Sequence, residues 1–172
     1  MVRIMNKMIF IGIDPGQSGA ITVIGASQQI YLLDDWPGNE VQAAAIVRDI
    51  VDMFKGTELR AAIEKVSSMP KQGVSSTFKF GTNFGMWKGI LAALSIPFIE
   101  VRPQLWQKGV VSKKQDGKAA NVAAASRIFP TAPLTGPRGG MKDGRADALL
   151  IADFLRRQFL VEEKPVARKK RS

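Results

Sequence analysis

Met8-Ile9-Phe10-Ile11-Gly12-Ile13 is a largely apolar, β-branched run that stops abruptly at Asp14-Pro15-Gly16. A run this short, closed by a Pro-Gly pair, reads as a strand buried on both faces, with a layer packed on either side of its sheet. Gln17-Ser18-Gly19 supplies a turn, and Ala20 to Gly25 resumes as a second strand. The first strand therefore delivers a carboxylate, Asp14, to the mouth of a sheet. An acid in that position is costly unless it is hydrogen-bonded, paired or bound to a cation.

Two later segments repeat the arrangement. Leu59-Arg60-Ala61-Ala62-Ile63-Glu64 is an apolar strand ending in an acid, and Asp143 and Asp147 open an apolar helix near the C-terminus. Residues i and i+4 share one helical face. Each acid has a plainer use: Asp14 and Glu64 could simply end strands, Asp143 could cap its helix ahead of Gly144, and Asp147 could lie on the surface. The chain has no histidine and no cysteine. Disulfides, thiol catalysis, cysteine-bound zinc and the usual general base are thereby excluded. An all-acid pocket suits magnesium, which takes carboxylate oxygens together with water and substrate phosphate. Two such ions about 4 Å apart can activate an attacking water and stabilise the leaving oxygen of a phosphodiester.

The net charge of +10 is unevenly placed. Residues 1–64 hold five basic and eight acidic side chains, whereas residues 65–142 hold twelve basic and two acidic ones. A basic surface around an acidic pocket points to a phosphate backbone as partner, although a merely solvated basic face has the same composition. The 172 residues suit one domain with a well-buried core. Residues 1–160 are expected to form it, and 161–172 a basic, disordered tail with five basic residues after Glu163. No apolar run reaches transmembrane length, and the start lacks a signal-peptide pattern, so no membrane association and a cytoplasmic location are expected.

The periodicities predict strands at 8–13, 20–25 and 29–33, a helix from Asn39 or Glu40 to about Phe54, and a strand at 59–64. A long helix over about 76–94, a strand at 97–101, a helical turn at 103–108 and helices at 118–129 and 143–159 follow. Asp34 to Gly38 and 130–142 read as loops. This order fits an α/β fold: a five-stranded mixed sheet, three antiparallel strands then two parallel ones, with helices on both faces. In it the Asp14 and Glu64 strands are parallel neighbours, roughly 5 Å apart. Gly81, Gly85 and Gly89 leave one face of the long helix bare, suited to close packing on the chain's own sheet or on a dimer partner. Phe78, Phe80, Phe84, Met86 and Trp87 supply more apolar area than one sheet face needs.

Together, Ile11-Gly12-Ile13-Asp14-Pro15-Gly16, Ile63-Glu64-Lys65-Val66 and Asp143-Gly144-Arg145-Ala146-Asp147-Ala148-Leu149 resemble the RuvC-type Holliday junction resolvases of the ribonuclease-H-like superfamily. The segments Pro103 to Val111 and Gly117 to Val122 look like that family's lysine-bearing stretches, so the likeness spans roughly residues 8 to 157. The resemblance implies a magnesium-dependent endonuclease that resolves four-way DNA junctions by paired nicks, acting as a homodimer without a nucleotide cofactor. It implies that Asp14, Glu64, Asp143 and Asp147 carry two magnesium ions, with manganese as a substitute. Lys108 and Lys118 are placed near the scissile phosphate; simple backbone contact is their plainer role. Two departures stand out. The family's last two metal-binding positions usually lie three apart, but here they lie four apart, with Gly144 at the three-apart position. Its aromatic after the Glu64 position is replaced by Ser67-Ser68-Met69.

Three other readings compete. A less selective nuclease for flaps, forks or RNA–DNA hybrids would use the same fold. The actin and sugar-kinase superfamily also uses a Gly-Ile-Asp-x-Gly turn, but needs a second phosphate-binding domain for which 172 residues leave no room. A non-catalytic junction binder would gain nothing from carboxylates held against phosphate.

Overall fold

A computed structural model describes residues 8–65, 74–112 and 117–162, without the side chains of 74–76 and 160–162. Strands β1 (Met8–Asp14), β2 (Ala20–Gly25) and β3 (Ile30–Asp35) form an antiparallel meander. Helix α1 (Glu40–Met53) leads back to β4 (Glu58–Glu64), which pairs parallel to β1 on the side away from β2. Helix α2 (Val74–Ala93) then leads to β5 (Phe98–Val101), parallel to β4. The sheet order is β3-β2-β1-β4-β5, the five-stranded mixed sheet that the sequence predicts. Three helices complete the chain: α3 (Pro103–Trp106), α4 (Lys118–Ile128) and α5 (Asp143–Glu162). Among the described residues, no helix is long and apolar enough to cross a membrane.

Strand alternation divides β1 between two cores. Ile9, Ile11 and Ile13 pack with Ala43, Val47, Trp87 and Leu91 of α1 and α2. Met8 and Phe10 pack on the opposite face with Ala124 and Ala125 of α4 and Leu149 to Ala152 of α5. Both sides of the strand are thus dry, and its side chains alternate between layers.

Gly12 lies on the α5 face, and its lack of a side chain sets how close that helix comes. A Cβ there would stand 2.1 Å from the Ala148 carbonyl oxygen and 2.6 Å from the Ala152 nitrogen. Helix α5 therefore lies directly on the backbone of β1.

Several local expectations are corrected. Strand β3 runs through Asp34 and Asp35, which the sequence reads as loop, because Asp35 pairs with Ala20 in the ladder. Segment 130–142 is partly ordered by a bridge between Thr135 and Met141. The glycine stripe does not pack on the sheet: a Cβ at Gly81, Gly85 or Gly89 would meet nothing within 4 Å. Trp87 belongs to the core, 1% exposed and edge-on to Trp36 at 5.6 Å, whereas Phe78 is 75% exposed. The Ser67-Ser68-Met69 segment and residues 163–172 of the expected tail lie outside the described residues, while 161–162 continue α5.

Candidate active site

Parallel pairing sets Ile13 beside Ile63, so the next residues, Asp14 and Glu64, end adjacent strands side by side. Both share the parity of Phe10 and Ala62, residues of the α5-side core, so alternation directs both toward that helix. Helix α5 begins at Asp143 and brings Asp143 and Asp147 to the same end of the sheet. All four carboxylates are partly buried.

Asp14, Glu64 and Asp147 share one electrostatic environment. Burial, followed by the charges of Asp14 and Asp147, pushes Glu64 up to about 8. Burial and then the charge of Asp14 push Asp147 up to about 7, against an opposing hydrogen bond from Asn121. Burial also raises Asp14; the Gly16 N–H, donating to its Oδ1 at 3.0 Å, works in the other direction. No three acids among the described residues already stand as a ready coordination cage. They nonetheless feel each other's charge, and Lys118 offsets only part of it. The donor set is all oxygen, anionic and partly dry, and so fits a hard divalent cation.

Gly144 explains the four-apart spacing. A Cβ at this position would stand 2.0 Å from the Ser18 carbonyl oxygen and 2.8 Å from the Gly19 Cα. The turn after β1 is pressed against the first turn of α5, leaving no room for a carboxylate three residues before Asp147. Gly19 is equally constrained, since its Cβ would lie 2.1 Å from the Asp14 carbonyl oxygen. Asp143 is the first residue of the helix rather than a cap preceding it.

The two lysines diverge. Lys118, first residue of α4, forms an ion pair with Asp143, and that contact raises its pKa. Its side chain is otherwise exposed. Lys108 is exposed just after α3 and makes no ion pair with the four acids among the described residues. The structure brings Lys118, but not Lys108, to the carboxylates.

Two groups escape the sequence reading. Asn121 is 6% exposed, and its Nδ2 donates to Asp147 Oδ1 at 2.8 Å. Gln107 Nε2 in turn donates to Asn121 Oδ1 at 3.2 Å. The available signal was a single amide amid the alanines of Lys118-Ala-Ala-Asn-Val-Ala-Ala-Ala. The second group is an ionic tie across the start of α5. Arg145 donates to Asp35 through Nε at 2.7 Å and Nη2 at 3.2 Å, and Lys142 reaches Asp35 at 2.8 Å. Despite some burial, these contacts hold Asp35 below the usual carboxylate range. Beside the tie, a groove of about 680 Å³ runs past Asp143, lined by Ser18, Trp36, Arg138 and Lys142. Across Gln17 and Trp36 a second groove, of about 490 Å³, is lined by Phe78, Lys79 and Met86.

No family model and no curated protein sequence matches this chain. Solved structures do. Thermus thermophilus RuvC in complex with a Holliday junction substrate superposes with a TM-score of 0.62 at 18% identity, over 88% of this chain and 96% of that one. A second T. thermophilus RuvC structure gives 0.61 at 18% identity, over 88% and 97%. The yeast mitochondrial Holliday junction resolvase gives 0.56 at 13% identity, over 89% and 78%. At these identities the likeness establishes a shared fold.

Proposed function

Starting from the fold shared with those resolvases, we propose that this chain is a metal-dependent endonuclease that cuts four-way DNA junctions by paired nicks as a homodimer. The observation that carries the reading is the site itself. Asp14, Glu64 and Asp147 are desolvated at one end of the sheet, and burial and the charge of neighbouring acids, only partly offset by Lys118, raise their pKa values. Such clusters mark functional sites more often than structural ones. A cation neutralises them, and a phosphodiester then has an electrostatic reason to approach.

Asp14, Glu64, Asp143 and Asp147 would hold two magnesium ions, or manganese in their place. When bound, the ions supply a water acidified for attack and stabilisation of charge on the phosphate and leaving oxygens. The chain's own groups do the rest. Gly16 N–H orients Asp14. Lys118, ion-paired to Asp143 beside the acids, would offer its ammonium to the transferring phosphate. Arg138 and Lys79, in the two grooves flanking the turn at Gln17, attract the strands on either side of the cut. Lys108 is assigned a DNA-backbone contact away from the reacting phosphate. A two-fold dimer would supply two sites for the opposed strands of a nearly two-fold junction. The open glycine stripe of α2, at Gly81, Gly85 and Gly89, is the surface offered to that contact.

Incubating the protein with a mobile four-way junction, a flap and an RNA–DNA hybrid in magnesium tests the reading. Symmetric nicks confined to the junction are expected, with a dimer in sedimentation. Absence of magnesium- or manganese-dependent cleavage of any branched DNA overturns it; equal cleavage of flap or hybrid replaces it with a less selective nuclease.

A further inference from the structure

The amide pair behind Asp147 has no role in the mechanism above, yet its geometry is specific. Asn121 is buried between α4 and α5, and both ends of its side-chain amide are used. A carboxamide can be turned over, exchanging its N–H and carbonyl ends, with little change in shape. The direction of this one follows from the Asp147 carboxylate, which when ionised can only accept, while Gln107, free to turn either way, donates to the carbonyl end. Asn121 must therefore present its own N–H₂ to Asp147. That bond takes Oδ1 and leaves Oδ2 of Asp147 for another partner. The terminal torsion of an aspartate is broad and only weakly held by its own preferences. A fixed donor 2.8 Å away selects one orientation.

We propose that Asn121 is a positioning residue that aims Asp147 at a divalent cation, and that Gln107, donating to Asn121 Oδ1, holds that amide in place. The proposal rests on the metal-site reading above and adds to it a two-residue relay from α3 to α5. Groups that hold a metal's ligands in this way typically contribute about 10- to 100-fold in metal affinity or activity. Lost cation affinity therefore separates the relay from a plain helix–helix contact, whose loss would reduce stability alone.

The test is manganese binding to the full chain, followed by electron paramagnetic resonance in the absence of DNA, with thermal unfolding measured in parallel. Asp147→Asn marks the affinity left when the ligand itself is lost. Asn121→Ala is expected to bind manganese about 10- to 100-fold more weakly than wild type, short of the Asp147→Asn floor. Gln107→Glu is nearly isosteric but can only accept; it should turn the Asn121 amide over, face its carbonyl to Asp147 and weaken binding to a similar degree. Gln107→Ala, which removes the donor to Asn121 Oδ1 but leaves Asp147 to direct the amide, should weaken it less. Wild-type affinity in both Asn121→Ala and Gln107→Glu overturns the relay, whatever happens to stability. If Asn121→Ala does not fold, Gln107→Glu decides: wild-type affinity overturns the proposal and weakened affinity upholds it. A wild-type protein that binds no manganese overturns the metal site itself, an outcome distinct from intact binding in the variants.

Discussion

Helix α5 carries two kinds of buried acid, and the contrast between them separates architecture from chemistry. Asp153 is 1% exposed and fully compensated. Arg156 and Arg157 pair with its two oxygens, and Gln28 donates to Oδ1 at 3.2 Å. Arg156 also reaches the Ala26 carbonyl at 3.1 Å, so the cluster locks the β2–β3 turn onto the helix. Two turns earlier, Asp147 is desolvated beside Asp14 and Glu64, with an amide as its hydrogen-bond donor. A buried charge with matched partners stays ionised; one without them shifts its pKa toward the neutral form.

The strongest challenge to this contrast is Asp14→Asn. The amide keeps the shape and removes the charge, so cleavage should fall about a thousandfold or more, equivalent to the several kcal/mol a metal supplies. Junction binding should persist or tighten. Equal loss of binding and cleavage in a folded mutant would remove Asp14 from the ligand set.

Asp153→Ala should do the reverse. Leaving the arginines buried without their partner should cost about 3–5 kcal/mol of stability by denaturant titration. Cleavage should survive below the melting transition; a stable but inactive variant would erase the distinction between the two acids.

pH supplies a third test. Glu64 titrates near about 8 in the fold against an ordinary 4.5, and Asp147 near about 7 against 3.8. Between these limits the folded chain holds more protons than the unfolded one, so metal-free stability should fall as pH rises from about 4 to about 8, then level off. Magnesium should restore stability at the alkaline end, and its affinity should rise across that window. Glu64→Gln should flatten much of the decline; an unchanged profile would mean that Glu64 is not buried as described.

The smallest effect is expected at Lys118, an exposed partner of Asp143. Lys118→Ala should slow cleavage about tenfold at saturating DNA, as for loss of a charge acting mainly in the transition state. A change in affinity and salt dependence alone would make it a backbone contact.

What the sequence showed and what it concealed follow from the range of the interactions. Strand β1, its terminal Asp14 and its pairing with the Glu64 strand were readable because an unbroken apolar run closed by Pro-Gly is a local signal and crossover connections are a topological rule. The end of β3 was not: two successive aspartates read as loop, and the partners that stabilise Asp35, Lys142 and Arg145, lie more than a hundred positions away. Gly81, Gly85 and Gly89 suggested a packed face, but a bare stripe does not reveal which side of the helix the sheet takes; Trp87 claims that side. Gly144 looked like a departure from a motif until the Ser18 carbonyl supplied the reason.

The contact between Gly12 and Ala148 has a consequence for the substrate. With the backbone of α5 against that of β1, no hinge separates Asp14 from Asp147, and close-packed interiors yield little under load. If the chain acts on DNA as proposed, the work of alignment then falls on the nucleic acid. Bending a continuous duplex by 40–90° costs on the order of 1–6 kcal/mol, whereas strands at a branch point splay with less resistance. On the proposed reading, an unyielding protein discriminates among DNAs by their compliance, and selectivity for branches needs no contact with a base.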